Sequence, residues 1–165
     1  MPRLPDMMKL LGSVFLLLGG LLWGFSKARE LWQRERLLGQ WQRLIESLKT
    51  GVSFAARPLG DLIREDGSPF CREAAASPLF SQNPQQALLQ AGNRLLPRQG
   101  DKALYQGFAQ GLGASDAAGQ LRHLELYASL VGQALLEARE ERDKRSRLYI
   151  CLGLFGGLTL CLLLL

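Results

Sequence analysis

Charged and apolar residues are segregated along this chain, with an uncharged apolar run near each end and the polar residues between the two runs. The first run begins at Leu10 and ends at Phe25, and the second begins at Leu148 and continues to Leu165. Each has about 16 to 18 residues, close to the minimum for a helix that crosses a hydrocarbon layer roughly 30 Å thick. The pattern predicts four segments: a short extension at 1–9, a transmembrane helix at 10–26, a cytoplasmic helical domain at 27–147 and a second transmembrane helix at 148–165.

The domain between the two runs begins with an amphipathic helix. From Lys27 onward the sequence is rich in helix formers, and its apolar residues recur at steps of three and four, which places them on one face of a helix. They form two adjoining stripes: Leu37, Trp41, Leu44 and Leu48 on one, and Leu38, Ile45 and Val52 on the other. We expect this face to be buried, and we expect Thr50 and Gly51 to weaken the helix before Pro58.

Capping residues followed by proline divide the middle of the chain into short helices. Ser68-Pro69, Ser77-Pro78 and Asn83-Pro84 each place a capping side chain before a proline that suits the first helical turn. The predicted short helices lie at about 58–65, 69–76, 84–97 and 101–111. Their apolar residues complete the predicted core: Leu59, Leu62, Ile63, Phe70, Phe80, Leu88, Leu89, Leu95, Leu104, Tyr105 and Phe108.

A second long helix is predicted from Asp116 to Arg147. Gly111 and Gly113 interrupt the helix before it, and Ser115 or Asp116 can cap its first turn. Its apolar residues form a heptad-like seam: Leu121, Leu124, Ala128, Val131, Leu135 and Ala138. The predicted fold class is therefore all-α, a membrane-anchored helical bundle. Its two terminal transmembrane helices are continuous with long cytoplasmic helices, and the short helices lie between these.

The net charge of +5 indicates a membrane orientation rather than a nucleic-acid partner. Most of the excess lies beside the apolar runs, and the internal flanks at 27–36 and 139–147 are richer in Lys and Arg than the stretch before the first run. Basic residues next to membrane helices concentrate on the cytoplasmic side, where they also face anionic lipid. We therefore expect membrane lipid as a partner, a cytoplasmic domain, both termini on the far side, and no nucleic acid.

The sequence contains no pattern typical of a catalytic, cofactor or metal site. His123 is the single histidine, and Glu125, two positions along a helix, points in a different direction. Cys71, Cys151 and Cys161 have neither metal-ligand spacing nor the arrangement of a disulfide framework, so we interpret them as small apolar residues. We expect no enzyme activity, no cofactor, no metal and no small-molecule substrate.

A role in binding or assembly remains. A helical domain between two membrane helices that carry no charge suits a platform, adaptor or anchoring subunit of a larger assembly. We predict that the turn before the second long helix takes part in partner contact, through Leu112, Gly113, Ser115, Asp116 and Gln120. The polar residues of this turn could equally serve only to cap the helix, and both roles stay open at this point.

From Met8 onward the chain resembles the stage III sporulation protein AB family of endospore-forming bacteria. The resemblance rests on three stretches, KLLGSVFLLLGGLLWGFSKARELWQRERLLGQWQRLIESLKTGV, GLGASDAAGQLRHLELY and EAREERDKRSRLYICLGLFGGLTLCLLLL. Its most specific signals are Gly113-Ala114-Ser115-Asp116 followed by Gln120, and the transition from Lys144 to Leu152 into an apolar run with a Gly-Gly pair. Residues 53–83 match only in size and helical character.

The resemblance implies a component of a complex made in the mother cell at engulfment, located in the outer forespore membrane and joined to a forespore partner. The family has been compared with the inner-membrane platform proteins of type II secretion and type IV pilus systems, whose helical cytoplasmic domain meets a hexameric ATPase. The resemblance therefore implies a non-enzymatic platform or adaptor subunit. Its implied partners are an ATPase encoded beside it and other membrane subunits of the same complex.

Two alternatives stay open at this stage. The chain could be a membrane-tethered helical scaffold or assembly factor unrelated to sporulation. It could also be an extracytoplasmic protein, if the first run is a cleaved signal, although the small residues Gly24 and Ser26 form a poor cleavage site before Lys27. Met7 or Met8 could replace Met1 as the true start.

Overall fold

The computed structural model describes residues 4–55 and 57–164, with the side chains of residues 4–17, 20, 21, 23, 27, 54, 55, 157, 158 and 160–164 outside that description. Within these ranges every regular element is an α-helix, which confirms the predicted all-α helical bundle. The helices are α1 (Leu4–Ala55), α2 (Leu59–Glu65), α3 (Pro69–Ala75), α4 (Pro84–Leu95), α5 (Gln99–Gly111) and α6 (Ala117–Leu164).

The short helices lie close to their predicted positions because local capping sets where they begin. The Ser68 hydroxyl accepts a hydrogen bond from a backbone N–H in the first turn of α3, and the Asn83 side chain does the same for α4. Ser77 has the same sequence pattern, but the residues after it form a turn rather than an α-helix. Helix α5 begins at Gln99, two residues before its predicted start.

The chain forms two compact units, and α1 and α6 contribute to both. The first, here called the helix pair, comprises Met1–Gln33 and Ala138–Leu165. The second, here called the body, comprises Arg34–Glu137 and contains α2 to α5 entirely. The two units differ in the contacts that hold them together.

An aromatic cluster lies at the centre of the body. The ring of Trp41 on α1 lies 4.8 Å from that of Tyr105 and 5.6 Å from that of Phe108 on α5, and Phe70 of α3 stacks on Tyr105 at 5.1 Å. The predicted core is confirmed as buried at Leu37, Leu38, Leu44, Ile45, Leu48, Leu62, Ile63, Phe80, Leu88, Leu124, Val131 and Leu135. Other predicted members are only half-buried: Val52, Leu59, Leu89, Leu95, Leu104, Leu121 and Ala128.

The close packing of this cluster depends on a glycine of α4. A β-carbon at Gly92 would lie 2.1 Å from the ring of Tyr105, far inside van der Waals contact. Burial raises the pKa of Tyr105 well above its ordinary value, and nearby Cys71 adds to the shift. Burial also raises the pKa of the Cys71 thiol to about 12, so this cysteine packs as a neutral apolar group.

A buried ion pair joins α1 to α5, and the sequence pattern did not predict it. Arg34 Nε donates to Asp101 Oδ2 at 2.8 Å and Arg34 Nη2 donates to Asp101 Oδ1 at 3.0 Å, with both side chains less than one-tenth exposed. Asp101 lies in the first turn of α5, where a negative charge also favours the helix dipole. The two-pronged geometry fixes the register between α1 and α5.

In the helix pair, α1 and α6 approach closely at Gly24. A β-carbon there would lie 2.7 Å from the backbone oxygen of Tyr149, so the residue must be glycine for the two helices to meet as they do. The guanidinium of Arg142 lies over the ring of Trp32, with its central carbon 4.7 Å from the ring centroid. Many large apolar side chains of this unit are exposed: Leu18, Leu22, Phe25, Leu148, Leu152, Leu154 and Phe155.

Nowhere in the described part of the chain is a helix both long and apolar enough to cross a membrane. The two predicted transmembrane helices, at 10–26 and 148–165, include stretches at 10–17 and 160–165 that lie outside the described side chains. Their integral placement in a membrane is not confirmed.

Candidate partner-binding site at the α5–α6 turn

The α5–α6 turn, residues 111–120, has a backbone path that requires glycine at one point. Helix α5 ends at Gly111, Leu112 is extended, and Gly113 has φ of +78°, a region that residues with a β-carbon rarely adopt. The N–H of Leu112 donates to the carbonyl of Ala109, and the N–H of Ala114 donates to that of Gly111. Five residues, 112–116, therefore connect α5 to α6.

Gln120 holds this turn from within. Its Oε1 accepts from the N–H of Gly113 at 3.1 Å, while its Nε2 donates to the carbonyl of Gly111 at 3.1 Å and to Ser115 Oγ at 3.2 Å. The Gln120 side chain is buried, with 8% of the residue exposed. Because one amide satisfies groups on both sides of Gly113, the turn has a defined shape before any partner binds.

Asp116 caps α6. Its Oδ1 accepts from the N–H of Gly119 at 3.0 Å, which satisfies one of the unpaired donors at the helix start. A β-carbon at Gly119 would lie 2.6 Å from Ser115 Oγ and 2.8 Å from Asp116 Oδ1, so glycine there leaves room for the cap. Asp116 therefore has the capping role that the sequence left open.

Two side chains from other parts of the body fix the end of α5. Gln85 on α4 directs its Nε2 at the carbonyls of Ala109, Gln110 and Leu112, at 2.8 to 3.0 Å. His123 on α6 lies 2.9 Å from the carbonyl of Phe108 through Nε2, with the proton assigned to that nitrogen so that it donates. His123 is half-buried and thus has a structural role at the end of α5.

The turn borders a small apolar groove of about 100 Å³. Leu112, Gly113 and Gln120 line it from the turn, and the remaining lining residues come from α1, α2, α6 and the α1–α2 connection: Leu48, Val52, Arg57, Leu59, Leu62 and Leu124. Arg57 forms two hydrogen bonds with the Glu65 carboxylate, one of them at 2.7 Å. This pairing raises the pKa of Arg57 and lowers that of Glu65, so a fully charged pair lies beside the apolar surface.

The structure brings all five predicted contact residues into one turn but gives them different roles. Gly113, Ser115 and Asp116 are exposed, whereas Leu112 and Gln120 are buried at 4% and 8% exposure and support the turn from inside. Whether the exposed three contact a partner stays a prediction. Gln85 was not predicted from the sequence. The groove residues of α1 and α2 were predicted only as apolar core residues, because nothing local indicates that they lie beside a turn so distant along the chain.

The comparisons with known proteins cover nearly the whole chain. Residues 9–165 match the family described as stage III sporulation protein AB. The chain is similar to the stage III sporulation protein AB of Bacillus subtilis (strain 168), at 24% identity over 172 residues that cover 96% of this chain and 99% of that protein. No solved structure matches the chain. The family match includes every residue of the α5–α6 turn.

Proposed function

Because the chain belongs to the stage III sporulation protein AB family, we propose that it serves sporulation as a non-enzymatic platform or adaptor subunit. The assembly would be a channel or secretion-like complex between mother cell and forespore, and the body would dock a cytoplasmic ATPase encoded beside it. The observation that carries the docking proposal is a turn held rigid by Gln85 and Gln120 that still exposes Gly113, Ser115 and Asp116.

The α5–α6 turn suits a docking role because its shape is set in advance. A preformed surface loses little conformational freedom on binding, so more of the interaction energy appears as affinity. The neighbouring groove offers apolar area at Leu59, and the charged pair of Arg57 and Glu65 lies beside it. An apolar centre with a polar rim is the usual composition of a protein interface.

Anchoring to a membrane by the helix pair is the second part of the proposal. Its support is the row of exposed Leu and Phe side chains in that unit and the Lys and Arg residues beside both apolar runs. Water is a poor environment for such a row, whereas lipid accepts it. In this proposal the unit lies in the mother-cell membrane that becomes the outer forespore membrane, and the body is cytoplasmic.

Thiol labelling tests the membrane placement. A Cys161→Ser variant keeps two cysteines for labelling: Cys151 of the helix pair, which is exposed, and Cys71 of the body, which is buried. We expect a water-soluble maleimide to leave Cys151 unmodified in native membranes and to modify it after detergent is added. Cys71 should react only after unfolding in denaturant, because its thiol is buried and its pKa is about 12. Rapid labelling of Cys151 in native membranes would contradict the placement.

Co-purification from gently solubilised membranes of sporulating cells tests the docking role. With a tag on the amino terminus, we expect to recover the neighbouring ATPase, and to lose it when residues 27–147 are deleted between the apolar runs. Failure to recover the ATPase while the full-length protein is intact in the membrane would leave an envelope scaffold and reject the docking proposal.

A substitution that spares the cap tests the turn itself. Ala114 is exposed in the turn, so Ala114→Arg should keep the fold and reduce ATPase recovery about tenfold or more, through steric and charge mismatch. Ala76→Arg, at an exposed position after α3, is the matched control and should bind as wild type does. The double variant Ser115→Ala/Asp116→Ala, in contrast, removes the cap of α6. If this double variant only destabilises the protein and Ala114→Arg still recovers the ATPase normally, the turn has a purely structural role.

A further inference from the structure

A second surface of the body, apart from the α5–α6 turn, carries arginine side chains that form no ion pair among the described residues. It is an open pocket of about 280 Å³ between α1 and the connection from α2 to α3. Gln40 and Arg43 line it from α1, Asp66 and Ser68 from the connection, and Arg72 from α3. The pocket therefore brings together two arginines that lie on separate helices.

Neither arginine has a carboxylate partner among the described residues, although both are exposed and line the same pocket. Other arginines of the body are paired: Arg34 with Asp101, Arg57 with Glu65 and Arg94 with Glu73. Arg43 and Arg72 instead present planar sets of N–H donors that are free to bind a planar anion.

The one acidic residue of the pocket is already engaged in the fold. Asp66 Oδ1 accepts from the backbone N–H of Ser68 at 2.9 Å. Partial burial acts to raise the pKa of Asp66, but hydrogen bonds from Ser68, Ser47 and Cys71 outweigh it, so the pKa is lower than its ordinary value. Asp66 is therefore a carboxylate at neutral pH, and with two arginines facing it the pocket keeps a net positive charge.

We propose that this pocket binds a carboxylate side chain from an acidic segment of the partner that the body docks. The inference rests on the proposed function, because it assigns a second contact to the same partner. A volume of 280 Å³ lies below the usual range for small-molecule sites, and the pocket is open, so a single side chain presented by a protein surface fits it better than a free metabolite. Two guanidinium groups match the two oxygens of a carboxylate, and the Gln40 amide supplies a further donor.

Charge reversal tests the pocket in the full-length protein. Arg43→Glu and Arg72→Glu should each lower ATPase recovery, and the double variant should lower it by about tenfold or more, since attraction becomes repulsion. Arg122→Glu is the matched control: it reverses an exposed arginine of α6 outside the pocket and should leave recovery unchanged. Thermal melts by circular dichroism should show that all variants remain folded. Normal recovery by the folded double variant would overturn the proposal.

A direct probe separates failure of this inference from failure of the proposed function. If the wild-type protein recovers no ATPase, docking itself is rejected. The pocket is then judged by NMR of the full-length protein in detergent, with triglutamate, triglutamine and inorganic phosphate as ligands. Shifts of the Arg43 and Arg72 side-chain resonances with triglutamate alone support a carboxylate site. Equal shifts with phosphate identify a general anion site, and no shifts with triglutamate show that the pocket binds no acidic segment; either result overturns the proposal.

Discussion

Two tryptophans on one helix show how differently the two units of this protein are built. Trp41 of α1 lies in the body with no exposed surface, and its ring contacts Tyr105 and Phe108 of α5. Trp32, nine positions earlier on α1, lies in the helix pair with 56% of its surface exposed, against Arg142. The body is stabilised by burial of apolar surface, whereas the helix pair exposes many of its described large apolar side chains.

The same contrast holds beyond the tryptophans. Among the described residues, the large apolar side chains that are exposed belong to the helix pair, except for Leu126 and Leu136 on α6 of the body. A water-soluble domain hides such residues, so the exposed row indicates a surface that another apolar phase or protein covers. Substitutions at matched positions in the two units should therefore have unequal effects.

The largest difference is expected for the tryptophans themselves. Trp41→Ala removes a fully buried ring and leaves a cavity, which should lower the free energy of unfolding by about 3–5 kcal/mol. Trp32→Ala should cost no more than about 1 kcal/mol, the value of an exposed cation–π contact. Denaturant unfolding of both variants in detergent, followed by circular dichroism, measures the two. Equal losses would show that the helix pair also has a buried core.

Ion pairs offer a second comparison, with a somewhat smaller effect. Asp101→Ala in the body removes the carboxylate that pairs with the buried Arg34 and should cost about 3 kcal/mol. Glu140→Ala in the helix pair breaks an exposed contact with Lys144 at 3.4 Å and should cost no more than about 0.5 kcal/mol. The apolar double variant Arg34→Met/Asp101→Leu should be more stable than Asp101→Ala, as measured by thermal denaturation. If the double variant is not more stable than Asp101→Ala, the ion pair contributes more to stability than the neutralisation of two buried charges.

Two glycines of the body give a third test, because alanine should destabilise the protein at one position and stabilise it at the other. Gly92→Ala places a methyl group 2.1 Å from the Tyr105 ring and should cost about 1–3 kcal/mol through overpacking. Gly39→Ala, on α1 with nothing within 4 Å of its added carbon, should stabilise the protein by about 0.5–1 kcal/mol through the higher helix propensity of alanine. Destabilisation by Gly39→Ala would indicate a neighbour against that face of α1.

Acid pH should affect the body through Asp66, with the smallest effect of the four. Its pKa is lowered in the fold, so its contribution to stability is present above the pKa of the unfolded chain and is lost as the pH falls through the folded value, below about pH 4. The melting temperature of Asp66→Asn should therefore change less between pH 7 and pH 3 than that of wild type. Asp61→Asn, at an exposed aspartate of α2, is the control, and an equal change in both variants would contradict the assignment.

Local features of the fold could be predicted from the sequence, because they depend on neighbouring residues. The caps at Ser68 and Asn83 and the buried stripe around Trp41 follow from patterns within a few positions. Ser77 shows the limit of that approach, since its cap-and-proline pattern leads only to a turn.

Contacts between distant segments could not be predicted in this way. Arg34 meets Asp101 across 67 positions, and Gln85 reaches the end of α5 across 24 to 27. No periodicity specifies such pairs, because they depend on how the helices pack. The same limit applied to the candidate site: its exposed residues lie in one local turn and were predicted, whereas the groove beside it is assembled from α1, α2 and α6.

The contact between Gly92 and Tyr105 also restricts how this family can change over evolutionary time. With the β-carbon position of residue 92 only 2.1 Å from the Tyr105 ring, residue 92 cannot gain a side chain without strain unless residue 105 is smaller. A relative with alanine or a larger residue at position 92 should have a smaller residue at position 105, and substitutions at the two positions should occur together among descendant sequences. Correlated substitutions at positions 92 and 105 would then reflect the packing of α4 against α5.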